Sequence, residues 1–199
     1  GDVYKRQIQY SKQSLARSKR LAFLDEIVQR CQMLTGLFHS SLSRDEVYSF
    51  LRIGKLVERA DMGIRITDVG AQDILDREGA FKSIDQLLWA ALLEALSAKS
   101  AYRRMKGPVV DKENAIELIF QAEHFPRSLT YCLRELRVEL MRLPNSEAAL
   151  KKAHKILRIL KSYDNRQAIY LHEYNMNLQK VLRELGTSFS KTWFQREGL

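Results

Sequence analysis

Glu58, Asp61, Arg65 and Asp68 recur three or four residues apart, so on a helix they would form one row of three carboxylates and a guanidinium. Two carboxylates three residues apart, Glu58 and Asp61, can share a proton or contribute to a metal site. Arginines brought in from elsewhere, for example Arg103 or Arg127, could hold an anionic substrate against them. Arg52, Lys55, Arg59 and Met62 occupy another side of the same helix. Three readings stay open for this cluster: acid–base chemistry, a buried lock of paired charges, and a solvated ladder in which Asp61–Arg65 and Arg65–Asp68 are intrahelical pairs. Exposed pairs of that kind contribute only about 0.2–1 kcal/mol each. No histidine or third acid completes a metal-ligand set beside Glu58 and Asp61, and neither metal nor cofactor is expected.

Other candidates are sparser. His39, His124, His154 and His172 follow no ligand spacing, and the chain lacks a His-Glu-x-x-His helix, a glycine-rich phosphate loop and a nucleophile elbow. His172 and Glu173 are adjacent, so on a helix they point in different directions. Cys31 and Cys132 sit at apolar helical positions without metal or redox spacing, which suggests buried, reduced thiols in a cytoplasmic protein. Trp89 and Trp193 read as core aromatics.

These residues need helices to position them. Phe50, Ile53, Val57, Ala60 and Ile64 form an apolar seam beside the charged rows. Ser43 and Glu46 suggest a capping box opening that helix, and Gly70 suggests its end. A preceding helix is expected from about Ser11 to Thr35, with Leu21, Leu24, Val28, Cys31 and Leu34 as its seam and Gly36 as its stop. Further helices are expected over Ile84–Met105, Asp111–Ala122, Pro126–Leu143 and Glu147–Ser162, then from an Asp164–Gln167 cap to Leu185, with Gly186 as the stop. A last amphipathic turn carries Phe189, Trp193 and Phe194. Gly54 and Gly63 suggest close approach by another helix. Short connections between long amphipathic helices imply antiparallel neighbours, hence an all-α antiparallel bundle of six or seven helices.

Composition agrees. Three prolines, nine glycines and an apolar fraction of 45% suit a single helical domain with a sizeable core. The longest apolar run, Leu87 to Leu93, is too short to span a bilayer. The net charge of +9 raises the question of nucleic acid. The densest basic clusters are Lys12, Arg17, Lys19 and Arg20, and then Lys151, Lys152, Lys155, Arg158 and Lys161. No aromatics interleave with the second, so a stacking platform for bases is missing and a solvated face is the better reading. Gly1 to Gln7 reads as a sequencing-adapter artefact: Asp-Val-Tyr-Lys-Arg-Gln back-translates to bases that resemble a transposon-end adapter. Residues 8–199 would then be the later part of a longer helical domain.

The run Phe50-Leu51-Arg52-Ile53-Gly54-Lys55, followed by Glu58-Arg59-Ala60-Asp61-Met62, Arg65-Ile66 and Asp68-Val69, resembles the signature of the bacterial alpha-E domain family. Ala101-Tyr102-Arg103-Arg104, His124-Phe125-Pro126-Arg127-Ser128, Cys132-Leu133, Leu171-His172-Glu173 and Thr192-Trp193-Phe194 extend the likeness from about Ser11 to Phe194. Lys55 stands where Arg is usual and Val57 where Leu is commoner. The resemblance implies an all-helical protein of unestablished activity, found beside or fused to circularly permuted ATP-grasp ligases and transglutaminase-like proteins. It therefore implies a protein partner of one of those kinds and an accessory role in forming or modifying peptide or amide bonds. The rival expectations are an enzyme built on the Glu/Asp/Arg cluster and a basic nucleic-acid-binding bundle.

Overall fold

The computed structural model describes residues 17–76, 82–164 and 170–195, so the adapter-like Gly1–Gln7 lies outside them. Among the described residues the chain is all-α, with eight α-helices, a closing π-helical turn and no strand. It divides into a unit ending at Arg44 and a second unit beginning at Asp45.

In the first unit, α1 (Arg17–Ser41) passes straight through Gly36, where a Cβ would meet nothing. A glycine inside a helix costs only about 1 kcal/mol, so without a left-handed turn it is not a stop. Leu21, Leu24, Val28 and Leu34 of the expected seam are exposed, and so is Cys31, which corrects its expected burial.

The second unit opens with α2 (Glu46–Leu75), which carries the charged rows. Asp45, rather than Ser43, caps it by accepting the Tyr48 amide at 3.1 Å. The single helix expected over Ile84–Met105 is two, α3 (Lys82–Ala95) and α4 (Lys99–Lys106). The chain breaks at Ser97, whose φ of 52° is left-handed. That break lets both the Trp89–Leu93 face of α3 and Tyr102 of α4 enter the core. Asp111 caps α5 (Lys112–Gln121), and Ser128 caps α6 (Leu129–Leu140), so Pro126 lies in the preceding turn. Next come α7 (Glu147–Ser162) and α8 (Leu171–Phe189), with the π turn over Ser190–Phe194. The Asp164–Gln167 cap falls mostly outside the described residues, and α8 continues past Gly186.

Pairings fix the topology. Ser49 meets Glu139 near one end of α2, and Gly63 meets Leu129 further along, so α2 and α6 are antiparallel. Phe50 packs on Trp193 at a centroid distance of 5.4 Å while Asp68 meets Asn175, so α2 and α8 are antiparallel too. Lys152–Glu184 and Ile159–Tyr174 set α7 against α8 in the same way. Because α6 and α7 also pack together, α2, α6, α7 and α8 close into a four-helix antiparallel ring. Helices α3–α5 are inserted between α2 and α6. Leu133, Leu136, Ile156, Leu160, Leu178 and Leu185 fill the ring. Each such side chain contributes about 1.5–3 kcal/mol on burial.

Candidate functional site

Arg52 lies on the side of α2 that faces α6. Its Nη2 reaches Glu135 Oε2 at 2.8 Å, and its Nε reaches Glu139 Oε1 at 3.4 Å. Glu139 is 4% exposed and accepts two further hydrogen bonds at Oε2, from Ser49 Oγ at 3.1 Å and Arg142 Nη1 at 3.2 Å. A carboxylate so deeply buried must have its charge compensated, and here two guanidinium groups and a hydroxyl do it. Ser49, Glu135, Glu139 and Arg142 were not singled out by the sequence reading. A signal was present: Glu139 lies three residues after Leu136 and seven after Cys132, on the apolar stripe of its own helix.

The other candidate residues are dispersed around the bundle. Glu58 is exposed and has no ion pair among the described residues, so of the three open readings the one with Glu58 buried opposite arginines such as Arg103 or Arg127 does not hold. Both of those arginines are exposed as well; Arg103 lies near Glu94, and Arg127 lies near Cys132. The reason is rotational. Ile53, Leu56, Ala60, Gly63, Ile64 and Thr67 form a broad buried face between α6 and α8, and Glu58 points away from it. Arg59 Nη1 donates to the Pro126 carbonyl at 2.9 Å, tying α2 to the turn before α6. Asp61 and Arg65 form an i,i+4 pair at 2.7 Å. Asp68 crosses to α8, where its Oδ1 lies 3.0 Å from His172 Nδ1 and accepts from Asn175 Nδ2 at 3.2 Å. Asn175 is fully buried and its Oδ1 has no partner. His172 is exposed.

Gly63 rests against Leu129 Cδ1, where a Cβ would sit at 3.4 Å, while a Cβ on Gly54 would meet nothing. The tight approach is instead at Gly70, where a Cβ would come within 2.6 Å of Leu92 Cδ1. Near the ion pairs, desolvation, then Arg59 and Arg52, lower the pKa of the Lys55 ammonium. Burial raises the Cys132 thiol from 9.0 to about 11, against the opposing pull of Arg59 and Arg127. Among the clefts that the described residues form on this unit, an apolar and a polar one stand out. The apolar one, about 620 Å³, lies between α2 and α3 with Arg65 among its lining residues. A polar one, about 600 Å³, is lined by residues of α6 and α7 and of the end of α5, and by none of the eight sequence candidates. Among the described residues no group of three His, Cys, Asp or Glu side chains could hold a metal, and no helix is long and apolar enough to cross a membrane.

A closed antiparallel ring, fastened by the arginines of one Glu-Arg-bearing helix, defines an all-α bundle protein. The chain belongs to the alpha-E family, whose model, described as a predicted alpha-helical domain with a conserved ER motif, matches residues 3–194. The chain's one Glu-Arg dipeptide is Glu58-Arg59. No curated protein and no solved structure matches it.

Proposed function

We propose that this chain is a non-catalytic accessory domain that acts through a protein partner, an ATP-grasp-type ligase or a transglutaminase-like protein, in a system forming or modifying peptide or amide bonds. The partner class comes from the family resemblance. The non-catalytic part rests on one observation: Arg52, Arg59 and Asp68 of α2 are spent on α6, the turn before it and α8. Arg52 binds Glu135 and Glu139, Arg59 binds the Pro126 carbonyl, and Asp68 binds Asn175. Side chains engaged in such fastenings hold a surface in shape for a partner. The test is to mix the purified chain with an ATP-grasp-type ligase from the same genome and follow both mass and ligase turnover. A stable complex with altered ligase turnover is expected. A chain that stays monomeric beside the ligase at about 50 μM, a concentration at which a micromolar complex would form, overturns the reading.

A second reading has its own observation. Asp68 oriented on His172 Nδ1 leaves the other imidazole nitrogen of an exposed ring free for proton transfer, the arrangement of an acid–base dyad. A His172→Gln variant that forms the complex and melts normally, yet abolishes product formation, would move the assignment to an enzyme. The nucleic-acid reading has less behind it: in the lysine-rich helix α7, Lys152 is paired with Glu184.

A further inference from the structure

The polar cleft of about 600 Å³ is walled by Thr130, Arg134 and Arg137 of α6, by Leu157 and Lys161 of α7, by Gln121 at the end of α5 and by Glu123 just beyond it. Arg134 and Arg137 are three residues apart and so share one side of their helix. Arg134 is paired with Glu123. Arg137 Nε is buried without a hydrogen-bond acceptor, and Arg137 has no ion pair among the described residues. An N–H held out of water with no acceptor is destabilising, and the half-buried Arg137 side chain also lines the cleft, where its guanidinium is a group suited to an oxyanion. Lys161 adds a third cation, so three positive groups face one carboxylate. The walls are also fastened. Gln121 Nε2 donates to the Leu160 and Tyr163 carbonyls at 2.9 Å each, and Thr130 Oγ1 donates to the Phe120 carbonyl at 2.7 Å.

We propose that this cleft binds a doubly charged oxyanion, the phosphate monoester of a small organic molecule, with Arg137 and Lys161 gripping the phosphate and Arg134 beside them. A net charge of two positives matches a dianion. Planar guanidinium forks match phosphate oxygens, and the volume leaves room for a ring or sugar beyond the phosphate. The site is separate from the charged rows of α2 and does not depend on the partner reading.

The probe is phenyl phosphate, with benzoate as the singly charged carboxylate control, titrated into the full chain by calorimetry. Phenyl phosphate is expected to bind with a dissociation constant below about 1 mM, and benzoate at least about tenfold more weakly. Arg137→Gln should weaken phenyl phosphate about tenfold or more, and Lys161→Ala by about threefold. Glu123→Gln, which removes the competing carboxylate, should tighten it. Lys151→Ala, exposed on the same helix outside the cleft, should leave it unchanged. No heat at about 10 mM probe, or equal binding by wild type and Lys161→Ala, overturns the proposal. So does a Glu123→Gln variant that binds more weakly. Lys161 and Glu123 are both exposed, so these tests hold even if Arg137→Gln misfolds. Benzoate binding as tight as phenyl phosphate would also overturn it, in favour of a carboxylate site.

Discussion

Arg52 and Glu139 are 87 residues apart in sequence, yet the guanidinium of one meets the buried carboxylate of the other across the α2–α6 contact. Glu135 supports the same guanidinium one turn away, and Ser49 and Arg142 share the Glu139 carboxylate. A charge buried this far persists only while its partners remain, so the network acts as a register pin between two helices of the ring.

Glu139→Gln should therefore destabilise the fold by about 1–3 kcal/mol, since Arg52 and Arg142 keep only part of their compensation. Glu58→Gln, changed at an exposed position of the signature dipeptide, should stay within about 0.5 kcal/mol of wild type. Urea unfolding of the two variants side by side checks both. A larger loss for Glu58→Gln than for Glu139→Gln would contradict the arrangement of α2.

Two glycines on the same helix should respond in opposite directions. Gly54 is helical and a Cβ there would meet nothing, so Gly54→Ala should stabilise by about 0.5–1 kcal/mol through lost freedom of the unfolded chain. Gly70→Ala would place a methyl 2.6 Å from Leu92 Cδ1, and α3 or the Leu92 side chain must shift to admit it. That variant should lose stability, and truncating its neighbour in Gly70→Ala/Leu92→Ala should make the two changes non-additive. Thermal melts of wild type, Gly54→Ala, Gly70→Ala, Leu92→Ala and the double variant decide the matter.

The helical class and the bounds of α7 were legible because Ala149, Ala153, Ile156 and Leu160 repeat at one helical face between clear breaks. Ile53, Ala60 and Ile64 were likewise readable as buried. Neighbours were not. A helical wheel shows which side of α2 is charged, but not that α6 presents Glu135 and Glu139 to Arg52. It also cannot say whether an apolar seam is covered, which is why Leu21, Leu24, Val28 and Leu34 of α1 were misjudged. Glycine was over-read as a terminator at Gly36, Gly70 and Gly186, all of which lie inside helices. The break at Ser97 carries no glycine or proline at all and follows from core packing on both sides.

Asp68 is the link between α2 and α8. Asp68→Ala would leave Asn175, fully buried, with neither its amide donor nor its carbonyl acceptor paired, and should cost about 1–3 kcal/mol. His172→Gln, at an exposed ring, should cost under about 0.5 kcal/mol. Replacing both Asp68 with Ala and Asn175 with Leu should recover much of the loss, because a matched apolar pair leaves no orphaned polar atom. Guanidinium unfolding of the three proteins is the check, and an equal penalty for His172→Gln and Asp68→Ala would make the imidazole, not the buried amide, the partner that matters.

The two cysteines should separate by reactivity and by pH. Thiolate is the reactive form, Cys31 is exposed, and burial raises Cys132 to about 11. At about pH 8, iodoacetamide should label Cys31 in the native protein and reach Cys132 only after unfolding, as read by mass spectrometry of the peptides. The same shift links pH to stability. The folded thiol has a higher pKa than its ordinary value of 9.0, so its contribution is complete below pH 9 and is lost as pH rises towards 11. Burial and the Asp164 charge raise Tyr163 to about 12, and burial and Tyr163 raise Tyr174 as well, so both add to the alkaline loss at higher pH. The urea midpoint should therefore hold steady up to pH 9 and then fall. Cys132→Ala should lower the plateau through the lost side chain yet flatten the first part of the fall. A midpoint that declines equally in both proteins between pH 9 and 10 would assign the alkaline transition to the tyrosines alone.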